Sequence, residues 1–259
     1  MNKSIRDAFG KSKAFIPFIT AGDPDLETTE KLILALQNAG ADLIEIGIPF
    51  SDPTAEGPVI MQASQRALAG GLCTDDVLAM VSRIKDQVQI PLVFMTYANV
   101  VYSYGIERFM DGAARAGISG LILPDVPFEE KDEFEIPACQ AGIELIFMIA
   151  PTSRERIEKI AASANGFLYC VSSLGVTGCR SEIESNVEDM IVQVRKTNRI
   201  PCAIGFGIAN EKQAAQMAAI SDGVIVGSAI VALCAKYGQD APVHAAKFVR
   251  SMKQAIASL

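Results

Sequence analysis

Short apolar runs alternate with amphipathic stretches along the whole chain. The runs at 14–20, 43–47, 91–96, 120–123, 144–150, 166–171, 201–205 and 223–226 are continuous in hydrophobicity and rich in β-branched residues. That pattern predicts strands buried on both faces, as in a parallel sheet covered by helices. Between them, apolar positions recur at helical spacing over 26–38, 59–69, 74–86, 106–116, 129–141, 154–164, 185–197 and 211–219. A last helical region covers 228–257, with a break expected around 238–242, and 4–9 reads as a short helix at the N-terminal end. Three predicted helices stop at an Ala-Gly pair, Ala39-Gly40, Ala116-Gly117 and Ala141-Gly142, where glycine past the last turn reverses the chain toward the next strand.

Eight strand–helix units in 259 residues, about 32 residues each, match a closed (β/α)8 TIM barrel. An open doubly wound sheet is the structural alternative. No Pro/Gly/Ser-rich linker divides the chain, so 1–259 reads as a single α/β domain. Hydrophobic residues make up 50% of it, enough for a large core, which excludes a disordered chain. The formal net charge of −7 argues against a binder of nucleic acid or anionic membranes, whose affinity rests on a positive field. Cys73, Cys139, Cys170, Cys179, Cys202 and Cys234 are scattered and form no CxxC pair, which predicts free thiols in a reducing compartment. With the one histidine, His244, in a terminal helix and read as a packing or surface residue, no metal site is expected. Residues 1–12 contain no apolar targeting core, so the expected location is cytoplasmic.

Chemistry enters through the late loops first. Gly175-Val176-Thr177-Gly178 follows the sixth predicted strand, Gly205-Phe206-Gly207 the seventh and Val226-Gly227-Ser228 the eighth. A single such glycine motif marks no more than a tight turn. Three after successive strands suit a phosphate cradle, in which backbone N–H groups and a helix N-terminus approach an anion closely. None matches a dinucleotide or Walker fingerprint.

Glu45 is the anomalous residue of Leu43-Ile44-Glu45-Ile46-Gly47. A carboxylate inside a barrel strand is costly unless it has a task, and burial near the mouth raises its pKa toward neutrality. It is then suited to act in turn as acid and base. The following segment, 49–58, holds three prolines and carries Asp52 and Glu56 in an ordered loop. Composition alone would make both solvated loop acids. Asp125 follows the fourth strand, Asn99 lies just past the third, and Tyr169 sits in the sixth. Met95 and Met148 read as strand core.

Ile19-Thr20-Ala21-Gly22-Asp23-Pro24, the block from Glu45 to Pro53, and the three late glycine motifs together resemble the tryptophan synthase alpha chain family, in order and spacing, from first strand to last helix. The resemblance implies a TIM barrel that cleaves indole-3-glycerol phosphate to indole and glyceraldehyde 3-phosphate. It implies no cofactor in this chain and a beta-chain partner that carries pyridoxal phosphate, in an α2β2 assembly. Carried over residue by residue, the catalytic acid–base matches Glu45, and a second acid, which would hold the indole N–H, matches Glu56. Tyr169, Asn99, Thr177 and Asp125 match supporting positions. Phe18, Ile60, Tyr97 and Ile122 match the indole pocket. Gly178, Gly207, Gly227 and Ser228 match the phosphate cradle, and Asp52 and Pro53 the partner interface. Two residues depart from the family pattern: Glu56 stands where relatives usually have aspartate, and Ser173 where many have arginine. A stand-alone indole-releasing lyase, and an alpha subunit kept mainly to activate its partner, remain alternatives at this point.

Overall fold

The computed structural model describes residues 3–10, 12–151, 154–171, 180–205 and 207–259, with backbone alone for 180–186. Strand β1 (Ala14–Thr20) is buried along its full length because both of its faces are covered. Its alternate side chains part company. Ala14, Ile16 and Phe18 join an inner cluster with Leu43, Val93, Ile122, Ile146, Ala203 and Ile225. Phe15 and Ile19 join the outer cluster, where Ile44, Ile46, Phe94, Leu121, Leu168 and Val224 meet the helices. The continuous apolar runs are the signature of this two-sided burial.

The remaining strands are β2 (Ile44–Gly47), β3 (Leu92–Met95), β4 (Gly120–Ile122), β5 (Glu144–Ile146), β6 (Met148–Ile149), β7 (Leu168–Val171), β8 (Cys202–Gly205) and β9 (Gly223–Val226). All pair in parallel, in the order β5-β4-β3-β2-β1-β9-β8-β7-β6. The two ends of that order are halves of one chain segment interrupted at Phe147. The barrel therefore closes through its own backbone, and the Phe147 carbonyl accepts the Tyr169 N–H at 3.0 Å. This closure decides against the open doubly wound sheet. The expected fifth strand, 144–150, is interrupted at Phe147: residues 144–146 pair with β4 and residues 148–149 with β7.

Helices α1 (Leu26–Asn38), α2 (Pro58–Ala69), α3 (Thr74–Ile84), α5 (Ile106–Ala116), α6 (Asp132–Ala141), α7 (Arg154–Ser163) and α9 (Glu211–Ile220) fall close to their expected positions. Gly117 and Gly142 cap α5 and α6 in the left-handed conformation, at φ 90° and 75°. The last region divides into α10 (Ser228–Tyr237), a 3-10 turn at Gly238–Asp240, and α11 (Ala241–Ile256). Helix α8 (Arg180–Thr197) begins earlier than the expected 185. Helix α4 (Ala98–Tyr104) was not expected at all: it is short, rich in β-branched and aromatic residues, and buries only Val101. Its first N–H is held from outside by the Asp125 carboxylate, a tertiary cap that local propensity does not reveal. Among the described residues no helix is long and apolar enough to cross a membrane.

The N-terminal segment forms a 3-10 helix, Ile5–Phe9, against the floor of the barrel. Ile5 is fully buried, and a Cβ on Gly120 would lie 2.8 Å from its Cδ1. Glycine at the start of β4 thus leaves the space that the plug fills. Ile5→Ala is expected to cost about 2–5 kcal/mol, the range for a large-to-small change in a close-packed core. Urea unfolding measures it; a loss under about 0.5 kcal/mol, typical of surface changes, would show that the plug does not support the barrel.

Candidate active site

Glu45 lies in the middle of β2, in register with Phe18 on β1 and Val93 on β3, and so points into the barrel. It is 1% exposed, and neither carboxylate oxygen has a hydrogen-bond partner. Burial, reinforced by the charge of Glu56, pushes its pKa up to about 8. A neutral carboxylic acid near neutral pH can both give and take a proton.

Glu56 arrives from the other direction, on the loop between β2 and α2. The loop is tied down where the Ala55 N–H donates to the Tyr97 hydroxyl at 3.1 Å. Burial also raises the Glu56 pKa, while a hydrogen bond from Tyr97 opposes that rise. Tyr97 itself is pushed up to about 12, mainly by burial, and stays a donor. Tyr169, from β7, is held well above its ordinary range by burial first and by the charge of Glu45 second.

These groups face a cavity of about 240 Å3 at the C-terminal end of the strands. Its apolar wall is made by Phe18, Ile60, Met95, Ile208 and Ile225, with Glu45, Glu56 and Tyr169 as the ionisable or hydroxyl groups. Gly207, Gly227, Ser228 and Ala229 line another part of it. Ser228 and Ala229 open α10 and bring its first two N–H groups, which have no intrahelical acceptor; those of Ile230 and Val231 are already taken by the Gly227 carbonyl. Two glycines make room for the wall: a Cβ on Gly47 would lie 2.6 Å from Phe18 Cζ, and one on Gly205 would collide with the Tyr169 hydroxyl. A larger cleft, about 450 Å3, lies beside the 123–128 and 145–150 segments. Its cations are already engaged, Lys131 by Asp132 and Glu135, and Arg156 by Glu129. Buried acids, and not size, single out the smaller cavity.

Of the residues expected at the site, Glu45, Glu56, Tyr169, Phe18, Ile60, Gly207, Gly227 and Ser228 all line this cavity. Others stand elsewhere. Ile122 is fully buried in the inner core, beside the wall but not part of it. Tyr97 stands behind the loop and supports Glu56. Asp125 caps α4, and Asn99 is exposed on that helix, where it accepts from Ser103 at 3.0 Å; neither reaches the cavity. Asp52 and Pro53 lie on the surface side of the Glu56 loop, Asp52 exposed. Thr177, Gly178 and Ser173 lie outside the described residues. Met95 belongs to the inner core, as expected, and also lines the cavity. Its inward parity with Val93 and its place at the end of β3 are the signals that could have marked it. Among the described residues no group of three His, Cys, Asp or Glu side chains could hold a metal ion.

A sequence profile described as tryptophan synthase alpha chain matches residues 6–257. The chain belongs to the tryptophan synthase alpha chain family. The alpha chain of Lacticaseibacillus casei is 46% identical over 252 residues, covering 97% of this chain and 95% of that one. That of Geotalea daltonii is 46% identical over 259 residues, covering 99% and 98%. Among solved structures, tryptophan synthase subunit alpha from Legionella pneumophila superposes with a TM-score of 0.90 at 38% identity over the whole of both chains. A chain of the tryptophan synthase complex from Pyrococcus furiosus gives 0.85 at 33% identity, covering 94% of this chain and 99% of that one. Membership thus spans the complete barrel, including the elements that bring Glu45 and Glu56 together.

The environment of Glu45 has a consequence for stability. Its folded-state pKa of about 8 lies above the ordinary 4.5, so the folded chain prefers the protonated acid. The resulting stabilisation is complete below about pH 4.5 and is lost as pH rises through about 8. Urea unfolding across this window should show a falling stability that is flattened in Glu45→Gln. Parallel profiles for the two proteins would mean that Glu45 titrates in the ordinary range.

Proposed function

We propose that this alpha chain cleaves indole-3-glycerol phosphate to indole and glyceraldehyde 3-phosphate. The observation that carries the reading is a pair of carboxyl groups, the strand-borne one buried and the loop-borne one half-buried, facing one apolar cavity with backbone donors at its rim. The apolar wall suits the indole ring, and the α10 N-terminus with Gly207 and Gly227 suits the phosphate. Glu56 accepts the indole N–H and stabilises the positive charge that develops on the ring. Neutral Glu45 gives its proton to indole C3. The carboxylate left behind takes the proton of the hydroxyl on the adjoining glycerol carbon. As that O–H bond breaks, the carbonyl forms, and the electrons of the C–C bond return to the ring to restore indole. The net change is one proton moved from oxygen to carbon with one C–C bond broken, so no external acid, base or redox partner is consumed.

The proposed partner is a tryptophan synthase beta chain carrying pyridoxal phosphate, in an α2β2 assembly. One relative of known structure is described as part of the mutually activated tryptophan synthase a2b2 complex of Pyrococcus furiosus. The exposed Asp52-Pro53 turn is the proposed contact, since it continues directly into the segment that holds Glu56.

Glu45→Gln preserves shape but cannot cycle a proton, and kcat is expected to fall at least ~10²-fold with little change in binding of an unreactive substrate analogue. Cleavage within about threefold of wild type would remove Glu45 from the acid–base role. Glu56→Ala is expected to lose about 2–4 kcal/mol of transition-state stabilisation. Glu56→Asp should also lower kcat, because the shorter stem retreats from both Tyr97 and the cavity. Turnover of all three variants in the presence of the beta chain checks these values. Saturating beta chain is expected to raise kcat/KM for indole-3-glycerol phosphate; an unchanged value in steady-state assays would exclude coupling through the Glu56 loop.

A further inference from the structure

Helix α2 starts immediately after the Glu56 loop, with Gly57 as its N-cap and Pro58 as its first residue. Its position therefore decides where Glu56 is presented, and it adds Ile60 to the cavity wall. Val59 and Ile60 pack part-buried against the inner cluster, yet the fully buried residues of α2 are only Ala63, Ser64 and Ala67. Side chains this small bury little apolar area and offer shallow ridges for interdigitation. Packing alone resists sliding along the helix axis only weakly.

An ion pair supplies the missing restraint. Asp23, on the turn after β1, is 2% exposed. Arg66, on the third turn of α2, donates through Nε to Asp23 Oδ1 and through Nη2 to Oδ2, both at 2.8 Å. A two-pronged contact between planar groups defines direction as well as distance. The aspartate end is itself anchored, because the neighbouring Gly22 N–H donates to Thr29 Oγ1 at 3.0 Å, and that hydroxyl donates to the Asp25 carbonyl at 2.9 Å. The turn lies tight against the C-terminal end of α2: a Cβ on Gly22 would lie 3.4 Å from Ala67 Cβ and 2.8 Å from Leu72 Cδ2. About 12 Å of helix, at 1.5 Å per residue, separates Arg66 from Pro58. A shift at one end is carried to the other.

We propose that the Asp23–Arg66 pair is a positioning device for the lyase reaction, setting the axial register of α2 and so holding Glu56 and Ile60 against Glu45. Its kinetic consequence rests on the cleavage reading above; its structural consequence does not. Neither residue lines the cavity, and both act through α2. Glu45 belongs to β2, a strand paired on both sides, so losing the pair moves the wall that carries Glu56 and Ile60 and leaves the acid–base group in place.

With the beta chain present, Arg66→Ala is expected to lower kcat for indole-3-glycerol phosphate about tenfold or more, with KM changed less than about threefold, the pattern of a misplaced transition-state contact. Arg66→Lys restores one charged contact and should recover part of the loss. In a Glu56→Ala background, Arg66→Ala should cost less than about threefold more, because the group it positions is gone. Asp23→Asn, nearly the same shape, is the second variant should Arg66→Ala fail to fold. Hydrogen–deuterium exchange on the full-length chain gives a readout without turnover: exchange over 54–62 should rise in the variant while 43–47 stays protected. Wild-type kcat in Arg66→Ala, an undiminished loss in the Glu56→Ala background, or equal exchange in both segments would overturn the proposal. Wild-type protein that does not cleave the substrate, with exchange over 54–62 still responding to Arg66→Ala, would defeat the cleavage reading and leave the positioning role standing.

Discussion

A carboxyl group enclosed in an apolar barrel, with neither oxygen hydrogen-bonded, sets the terms for everything around it. Water would solvate the ionised form of Glu45 strongly, and burial to 1% exposure denies it most of that solvation. The group therefore stays neutral to about pH 8, a state that an exposed glutamate never holds near neutrality. That environment is collective. It requires β2 to be flanked on both sides, the ring of strands to close at Phe147, and Phe18 and Ile225 to face inward. Gly47 and Gly205 contribute by being absent as side chains, which lets Phe18 and Tyr169 come close. The stability given up by burying the acid is the physical link between fold and reactivity.

Glu45 and Glu56 are held by different means, and the difference matters for the proposed reaction. Glu45 sits on a strand paired on both sides and has almost no freedom of position. Glu56 sits on a loop whose geometry depends on the Ala55–Tyr97 hydrogen bond and on where α2 begins. A rigid acid–base group opposite an adjustable one is the arrangement expected where a lyase is tuned by a partner: the adjustable side is the surface that a second subunit can reach. Asp23 and Arg66 extend this logic through the helix, converting the rigidity of β1 into a fixed register for the side that carries Glu56.

The chain carries a net charge of −7, yet the other part of the cavity is suited to a phosphate. The two facts are compatible because they act over different distances. Surface carboxylates are screened over about 8 Å at physiological ionic strength, whereas backbone N–H groups at the start of α10 act at contact. Local donors thus govern an anion that the global charge would repel.

Much of this was legible in the linear sequence, for reasons of period and composition. Apolar runs buried on two faces cannot be mistaken for half-wet strands, so eight strand segments and most helices could be placed, and a lone carboxylate inside one of them stood out. The glutamate-to-proline block and the late glycines then pointed to the cavity's two ends. Tertiary structure decided what depends on neighbours distant in sequence. Helix α4 is capped from outside by Asp125 and packed on the outer core through Val101, contacts its own sequence does not reveal. Asn99 and Asp125 lie close to the right strands but outside the cavity, Asp125 beside Tyr97 at the start of α4, and Met95 lines the cavity because parity and strand end put it there. The fifth strand is interrupted at Phe147, where pairing with β4 ends and pairing with β7 begins, a feature set by partners distant in sequence. The Asp23–Arg66 pair joins positions whose spacing has no local period, and only the closed barrel brings them within hydrogen-bonding distance. Local periodicity encodes which face of an element is buried; what it is buried against is a property of the closed barrel.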